Sequence, residues 1–124
     1  MFQYNSTHKI FTALLIVVWA IFQFGQREDQ VKPYKNGQQK RIGQKKNNLN
    51  EGKWVWYHDN GKASIIGNFH LGKKVGVWKW FDVEGRVVVE RNYKEDKLEG
   101  LQRSYDTLGN IVSESYYKND ALIK

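Results

Sequence analysis

The chain has 124 residues, enough for one ordinary domain, and its 27% of charged and 15% of aromatic residues are typical of a folded protein rather than a disordered one. It contains no cysteine, which excludes disulfide bonds, thiolate metal sites and a lipidated cysteine anchor. The formal charge of +7 is unevenly distributed: residues 27–53 carry eight Lys or Arg against three acidic residues, whereas residues 54–124 carry eleven against ten. A nucleic-acid-binding face along residues 54–124 is therefore not expected.

The first predicted element is an apolar stretch that contains no charged residue from Ile10 to Gln26. A membrane-spanning helix needs about 17–25 apolar residues, so this stretch lies at the lower limit. A secretory signal peptide also fits, since its apolar core has only about 7–15 residues and cleavage after Ala20 or Gly25 would follow it. We therefore predict that residues 1–25 are a signal peptide or a membrane anchor, and that a membrane contact, if any, is made through residues 10–26.

The charges that flank this stretch leave the location open. If it is not cleaved, Arg27, Lys32 and Lys35 follow it while Lys9 precedes it, and the positive-inside rule then keeps the rest of the chain in the cytoplasm. Cleavage would release the rest of the chain outside. We expect a protein that is exported (periplasmic, cell-surface or secreted) or membrane-anchored, and a cytoplasmic orientation stays open.

Residues 26–51 are predicted to be a basic polar linker that contains a degenerate half-repeat. Asn36-Gly37, Gly43 and Gly52 have the same spacing as a second set of residues placed 24 positions later, Asn60-Gly61, Gly67 and Gly76. Terminal units of repeat proteins are usually atypical and polar, so this half-repeat is interpreted as a cap.

Residues 52–124 contain three repeat units, which begin at Gly52, Gly76 and Gly100, so that each unit begins 24 positions after the one before it. Further residues keep the same step: Gly61, Gly85, Gly109 and then Phe69, Tyr93, Tyr117. A fixed period of this size is typical of a stacked-repeat protein.

Within each unit the apolar residues alternate with period two, which predicts strands rather than helices. Asp82 to Gly85 and Asp106 to Gly109 have Asp first and Gly last, as in a type I turn that connects two strands of a hairpin. The segments 71–76 and 95–100 are interpreted as short polar links between hairpins. The predicted fold is therefore all-β, an elongated antiparallel meander of tandem 24-residue hairpins preceded by an N-terminal apolar helix.

The pattern Gly-x-Trp-x-x-Tyr/Phe-x-x-x-Gly, followed by an aromatic residue and Lys-x-x-Gly, resembles the MORN-like repeat, and in particular the bacterial variant known as the YwqK-type antitoxin. The resemblance extends from about Gly37 to the end of the chain. The third unit departs from it, because Gln102 and Ser104 stand where the first two units have tryptophans. The resemblance implies a single-layer sheet of hairpins that binds partner proteins or lies near membranes, and it implies no catalytic residue.

Four tryptophans are the candidate partner-binding residues, and they lie at equivalent positions of the first two units: Trp54, Trp56, Trp78 and Trp80. An exposed row of tryptophans would form a recognition surface. A small sheet also needs large aromatic side chains as its core. Both interpretations stay open.

A second candidate surface is the basic segment 32–53, which could lie on an anionic membrane. Its candidate residues are Lys35, Lys40, Arg41, Lys45 and Lys46. We predict no catalytic residue, no metal site and no cofactor, since His58 and His70 do not recur in the other units and no phosphate-binding or nucleophile motif is present.

The predicted function is that of a non-enzymatic scaffold for a protein–protein contact. The alternatives are a lipid-associating protein that uses segment 32–53, and an antitoxin-like protein that neutralises its partner. The expected partner is another protein of unknown identity, nucleic acid is not expected, and the sequence leaves the oligomeric state open.

Overall fold

The structure is a computed structural model, and it describes residues 12–20, 33–35 and 37–124. Residues 12–20 form helix α1, and the described part of the chain contains nine strands that belong to a single sheet. The strands are β1 (Arg41–Lys46), β2 (Leu49–Tyr57), β3 (Ala63–His70), β4 (Lys73–Phe81), β5 (Val87–Lys94), β6 (Lys97–Leu98), β7 (Gly100–Tyr105), β8 (Ile111–Lys118) and β9 (Ala121–Leu122).

The strands follow one another across the sheet in chain order, and every neighbouring pair is antiparallel. Strands β6 and β7 both pair with β5, so they are two parts of one line that is interrupted at Glu99. The predicted all-β meander of hairpins, preceded by a helix, is therefore confirmed. Because each connection is local in sequence, no crossover is needed to build the sheet.

The turn inside each unit has the predicted type I geometry with a glycine bulge. In the second unit the Gly85 amide donates to the Asp82 carbonyl at 3.0 Å, and Gly85 has a φ of 90°. Gly61 and Gly109 have φ values of 86° and 85° and make the same hydrogen bond, to His58 and Asp106. Glycine reaches this left-handed region without the steric penalty of a Cβ atom, which explains its place at the end of each turn.

The predicted polar links at 71–76 and 95–100 are wrong in extent. Leu71 and Gly72 form a two-residue turn, with φ values of 49° and 80°, and β4 already begins at Lys73. Glu95 and Asp96 do the same, with φ values of 48° and 69°. Two consecutive positive φ values are typical of a type I′ turn, whose usual signal is Asn-Gly or Asp-Gly. Neither of these two pairs carries that signal, so the sequence did not predict the turn.

These two-residue turns are tied to the preceding unit by a hydrogen bond that recurs with the period of the sequence. The Gly72 amide donates to the Asn50 carbonyl at 2.9 Å, and the Asp96 amide donates to the Lys74 carbonyl at 3.0 Å. The Asp120 amide donates to the Leu98 carbonyl in the same way at 3.0 Å. The period of the sequence is therefore also the period of the backbone contacts that join one unit to the next.

The helix stands apart from this pattern, because six consecutive side chains of α1, Leu14 to Trp19, are between 53% and 65% exposed. Among the residues described, no helix has the length and hydrophobicity that a membrane crossing requires. The rest of the predicted segment 1–25, together with residues 26–32 of the predicted linker, lies outside the described residues.

Candidate interaction surface

Six aromatic rings lie on one side of the sheet, which we name the aromatic face. They come from strands β2 to β5: Trp54, Trp56, Phe69, Trp78, Trp80 and Tyr93. Neighbouring rings are tilted or edge-to-face, with centroids between 5.0 and 6.2 Å apart. This is the range in which aromatic pairs attract one another. The rings therefore form one continuous cluster across the first two units.

Two of the four candidate tryptophans form the core of this cluster. Trp54 is 4% exposed and Trp78 is 3% exposed, and they are the buried large side chains of the described residues. Each lies flat over a glycine of the preceding strand: a Cβ atom on Gly43 would be 2.0 Å from the ring of Trp54, and one on Gly67 would be 2.1 Å from the ring of Trp78. Any other residue at these glycines would collide with the ring.

Each buried ring also has a hydrogen-bond partner for its single polar atom. Trp54 Nε1 donates to the Gln44 carbonyl at 3.0 Å, and Trp78 Nε1 donates to the Asn68 carbonyl at 3.1 Å. An unpaired indole N–H in the core would carry a desolvation cost, so this contact completes the site. Ring, glycine and carbonyl thus form an arrangement that occurs once in each of the first two units.

The other two tryptophans, Trp56 and Trp80, are only half-buried. They belong to one register row that crosses the strands, which we name the tryptophan row. Each member is the register partner of the next one on the neighbouring strand. From β1 to β7 the members are Arg41, Trp56, Ile65, Trp80, Val89 and Ser104. The structure thus divides the four predicted residues into two buried rings and two rings that keep part of their surface in solvent.

The third unit keeps the backbone of this site and changes its side chains. Arg91 stands at the position of Gly43 and Gly67, and Gln102 at the position of Trp54 and Trp78. Gln102 is 7% exposed, and its Nε2 donates to the Asn92 carbonyl at 3.3 Å while its Oε1 accepts from the Asn92 amide at 3.1 Å. The amide of Gln102 therefore binds the same backbone position that the indoles bind in the other units.

Charge is distributed unequally between the two sides of the sheet. Register places four cations on the aromatic face: Arg41, Lys45, Lys74 and Arg91. It places the strand carboxylates of the described residues on the opposite face: Glu51, Glu90 and Glu114. The aromatic face is therefore cationic as well as aromatic.

Three of these cations lie over aromatic rings. The guanidinium of Arg91 is 5.4 Å from the ring centre of Trp80, and that of Arg41 is 6.0 Å from the ring centre of Trp54. The ammonium of Lys74 lies 5.3 Å from Trp78. Cation–π attraction at such distances is about 0.5–1 kcal/mol at exposed sites. It also fixes the cations above the rings.

The opposite face carries ion pairs instead. Lys79 Nζ is 3.6 Å from Glu90, and Arg103 Nε is 2.9 Å from Glu114. The hydrogen bond that Arg103 donates to Glu114 raises the pKa of Arg103. The cations of this face are thus partly neutralised within the sheet.

The five predicted basic residues do not lie on one surface. Arg41 and Lys45 lie on the aromatic face, whereas Lys46 lies on the opposite face, because side chains alternate along β1. The ammonium of Lys40 is 5.2 Å from the ring centre of Tyr34, and Lys35 is exposed outside the strands.

The two histidines of the repeats make structural contacts. His58 Nε2 contacts the Phe81 carbonyl at 3.0 Å, and Tyr34 Oη, 24 positions earlier, donates to the Tyr57 carbonyl at the same distance. His70 Nδ1 contacts Glu51 at 3.0 Å. Within the described part of the chain, no group of three or more His, Cys, Asp or Glu is placed to hold a metal ion.

Carboxylates at the turns accept hydrogen bonds from backbone amides. The Arg86 amide and side chain hold the pKa of Asp82 below its usual value, and the Asn110 amide does the same for Asp106. At the opposite rim the Leu71 amide, followed by His70, lowers the pKa of Glu51. The charged form of each carboxylate therefore stabilises the turn that it contacts.

Sequence reasoning missed the glycine beneath each buried ring. The signal was present, because Gly43 and Gly67 precede Trp54 and Trp78 by the same 11 positions, and Arg91 precedes Gln102 by the same distance. Glycine and tryptophan thus change together along the repeat. Their joint change indicates that the two positions touch.

Comparison with known protein families finds one match. The MORN repeat variant matches residues 50–70 and residues 98–119, two stretches that begin two repeat periods apart. MORN repeats are generally modules of protein or membrane interaction, and the family is a non-catalytic repeat module. Searches of curated proteins and of solved structures found no match.

Proposed function

We propose that this protein is a non-enzymatic repeat scaffold whose aromatic face binds another protein, and that it is exported or anchored to a membrane. The observation that carries the proposal is the difference in burial between equivalent tryptophans: Trp54 and Trp78 are buried, while Trp56 and Trp80 are half-buried in a row across the sheet. The similarity to the MORN repeat variant at two places supports an interaction role.

The physical basis of the contact is a rigid apolar surface. Trp56 and Trp80 are held by neighbouring rings, with Trp56 5.6 Å from Trp78 and Trp80 6.2 Å from Trp78. Side chains that are already ordered lose little conformational entropy when a partner binds. Tryptophan is also among the residues that contribute most to binding free energy in protein interfaces.

The test is in-cell cross-linking of the full-length chain in its native host, comparing the wild type with the double variant Trp56→Ser/Trp80→Ser. Serine is the residue that the third unit already has at this position, as Ser104. A matched control, Val77→Ser/Val88→Ser, changes two exposed apolar residues of the opposite face. We expect the tryptophan variant to lose the cross-linked partner and the valine variant to keep it. Retention of the same partner by both variants would contradict the proposal.

The location is tested separately, by the intact mass of the protein in membrane, soluble and exported fractions. A mass that begins near Ile21 or Gln26 outside the inner membrane would support export with cleavage. A full-length mass in the membrane fraction would support an anchor, and the positive-inside rule would then place the repeats in the cytoplasm.

A lipid-associating function through segment 32–53 is the second candidate. It is favoured by the exposure of Lys35, Lys40, Arg41 and Lys46 and by the exposed large side chains of α1. Binding through these cations should weaken steeply as salt rises, whereas binding through tryptophans should change little.

An antitoxin-like function would be a special case of the protein contact. In that case the partner found by cross-linking should arrest growth when it is expressed alone. Co-expression of this chain should restore growth, and co-expression of the Trp56→Ser/Trp80→Ser variant should not.

A further inference from the structure

We infer that the partner segment that lies on the aromatic face is acidic: an extended piece of another protein whose carboxylates pair with Arg41 and Arg91 and whose apolar side chains cover Trp56 and Trp80. This inference rests on the proposed function and adds the chemistry of the partner to it.

The first support is that the aromatic face carries cations but none of the strand carboxylates of the described residues. Arg41, Lys45, Lys74 and Arg91 lie on the aromatic face, and the strand carboxylates of the described residues lie on the other. On the opposite face acids lie among the cations, as in the pair Arg103–Glu114, although other cations of that face are exposed. Arg41 and Arg91 of the aromatic face therefore present positive charge that no strand carboxylate on that face neutralises.

The second support is the state of the two arginines. Within the described residues Arg41 and Arg91 form no ion pair, and both are exposed. Each lies over a ring, which holds the guanidinium in place. Stacking uses the flat side of a guanidinium and leaves its N–H groups, which lie in the plane, available for a carboxylate.

The third support is the geometry of the tryptophan row. Arg41 lies on β1 and Arg91 on β5, four strand intervals apart, which at about 4.8 Å each is about 19 Å. An extended peptide rises about 3.3 Å per residue, so about six residues cover this distance. Arg41 belongs to the tryptophan row, and Arg91 lies two residues from its member Val89, with its guanidinium over Trp80. The apolar side chains of the row therefore lie between the two positive charges. The surface thus fits a short stretch with an acid at each end and apolar side chains between.

The test measures binding of two synthetic peptides to the full-length chain, kept in solution with a non-ionic detergent. One peptide carries two glutamate pairs about six residues apart with leucines between them, a spacing set by the strand intervals above. The other has lysines in place of the glutamates. We expect the glutamate peptide to bind at least about tenfold more tightly, a factor that corresponds to one or two charge-assisted contacts.

Two variants locate the contact. Arg41→Gln/Arg91→Gln should weaken binding of the glutamate peptide by about tenfold or more. The control Lys53→Gln/Lys73→Gln removes the same charge from exposed residues of the opposite face and should leave binding unchanged. Circular dichroism of each variant verifies that the sheet is intact.

Several results would overturn the inference. These are equal binding of the two peptides, no binding of the glutamate peptide, or unchanged binding by the arginine variant. If charge has no effect but Trp56→Ser/Trp80→Ser abolishes binding of both peptides, the acidic specificity fails while the proposed protein contact stands. If the arginine variant instead loses binding to phosphatidylserine vesicles and the peptides do not bind, the surface is a membrane contact.

Discussion

The first two repeat units and the third have the same backbone and different side chains on the aromatic face. In the first two, an indole lies over a glycine, as Trp78 lies over Gly67. In the third, Gln102 and Arg91 replace them, and Gln102 still binds the backbone of the preceding strand, at Asn92. The turns and the pairing within each hairpin do not change along the array, although the strand line that pairs with β5 is interrupted at Glu99.

This comparison teaches that the backbone of the repeat is specified by turns and hydrogen bonds, while the face can be aromatic or polar. The glycines at Gly61, Gly85 and Gly109 have nearly the same φ in all three units. The aromatic cluster, in contrast, extends only from Trp54 to Tyr93 in the part of the chain that the structure describes. The aromatic side chains are therefore the part of the repeat that varies, which is why we place the binding surface among them.

The largest expected effect is on stability, and it distinguishes a buried tryptophan from the buried glutamine at the equivalent position. Trp78→Ala removes a ring that is 3% exposed and should lower the free energy of unfolding by about 3–5 kcal/mol. Gln102→Ala, at the equivalent position, removes hydrogen bonds and should lower it by about 1–2 kcal/mol. Chemical denaturation of both variants measures the difference. Equal losses would show that the ring is not the core of its unit.

The next effect tests the glycine beneath the ring. Gly67→Ala places a Cβ atom 2.1 Å from the ring of Trp78, so the ring must move and stability should fall by about 3 kcal/mol. The φ of Gly67 lies outside the left-handed region, so the backbone itself accepts alanine. The matched control is Arg91→Ala in the third unit, which should cost only about 0.5–1 kcal/mol, the cation–π attraction to Trp80. A tolerated Gly67→Ala would contradict the close contact.

A smaller effect is expected for the half-buried tryptophans. Trp80→Ser should cost about 1–2 kcal/mol, well below the loss for Trp78→Ala, because the ring of Trp80 is only half-buried and Ser104 shows that the backbone accepts serine there. Thermal melting checks this order. If Trp80→Ser destabilises the protein as much as Trp78→Ala does, both rings are core and the proposed binding surface loses its main support.

The smallest expected effect is the dependence of stability on pH, which arises from aspartates in turns that the repeat units share. Asp82 and Asp106 have pKa values lowered in the folded state by backbone amides. Their stabilising contribution is therefore complete above the unfolded pKa of about 3.9 and is lost as the pH falls through the lower folded values. We expect the melting temperature to fall below pH ~4.

The variant Asp106→Asn should reduce this dependence on pH, since its side-chain oxygen still accepts from the amides of Leu108 and Asn110 but does not titrate. Its melting temperature at neutral pH should stay near that of the wild type. An unchanged acid dependence would show that Asp106 does not contribute to it.

Much of the fold could be predicted because each landmark of the sheet repeats in the sequence. Gly85 and Asp82 mark a turn, and the alternation in Val87 to Tyr93 marks a strand. The type I′ turns were missed because Leu71-Gly72 and Glu95-Asp96 lack the usual Asn-Gly signal, although their φ values are positive.

The candidate site could be predicted less completely, because burial depends on neighbouring strands. Period two places Trp54 and Trp56 on the same face but does not say which ring is covered. The answer depends on Gly43, which lies on the adjacent strand. The charge of the face likewise follows from the register that brings Arg41 and Arg91 onto the side of the rings.

The most direct test of the relation between ring and glycine is a double-mutant cycle in the third unit, with Arg91→Gly, Gln102→Trp and the two together. Gln102→Trp alone should lower the melting temperature, because Arg91 occupies the place that the ring needs. The double variant should recover the lost melting temperature, with a coupling free energy between the two substitutions of about 1–3 kcal/mol. Additive effects of the two substitutions would contradict the claim that a tryptophan ring and the glycine beneath it depend on each other, and that the pair can replace Gln102 and Arg91 on the same backbone.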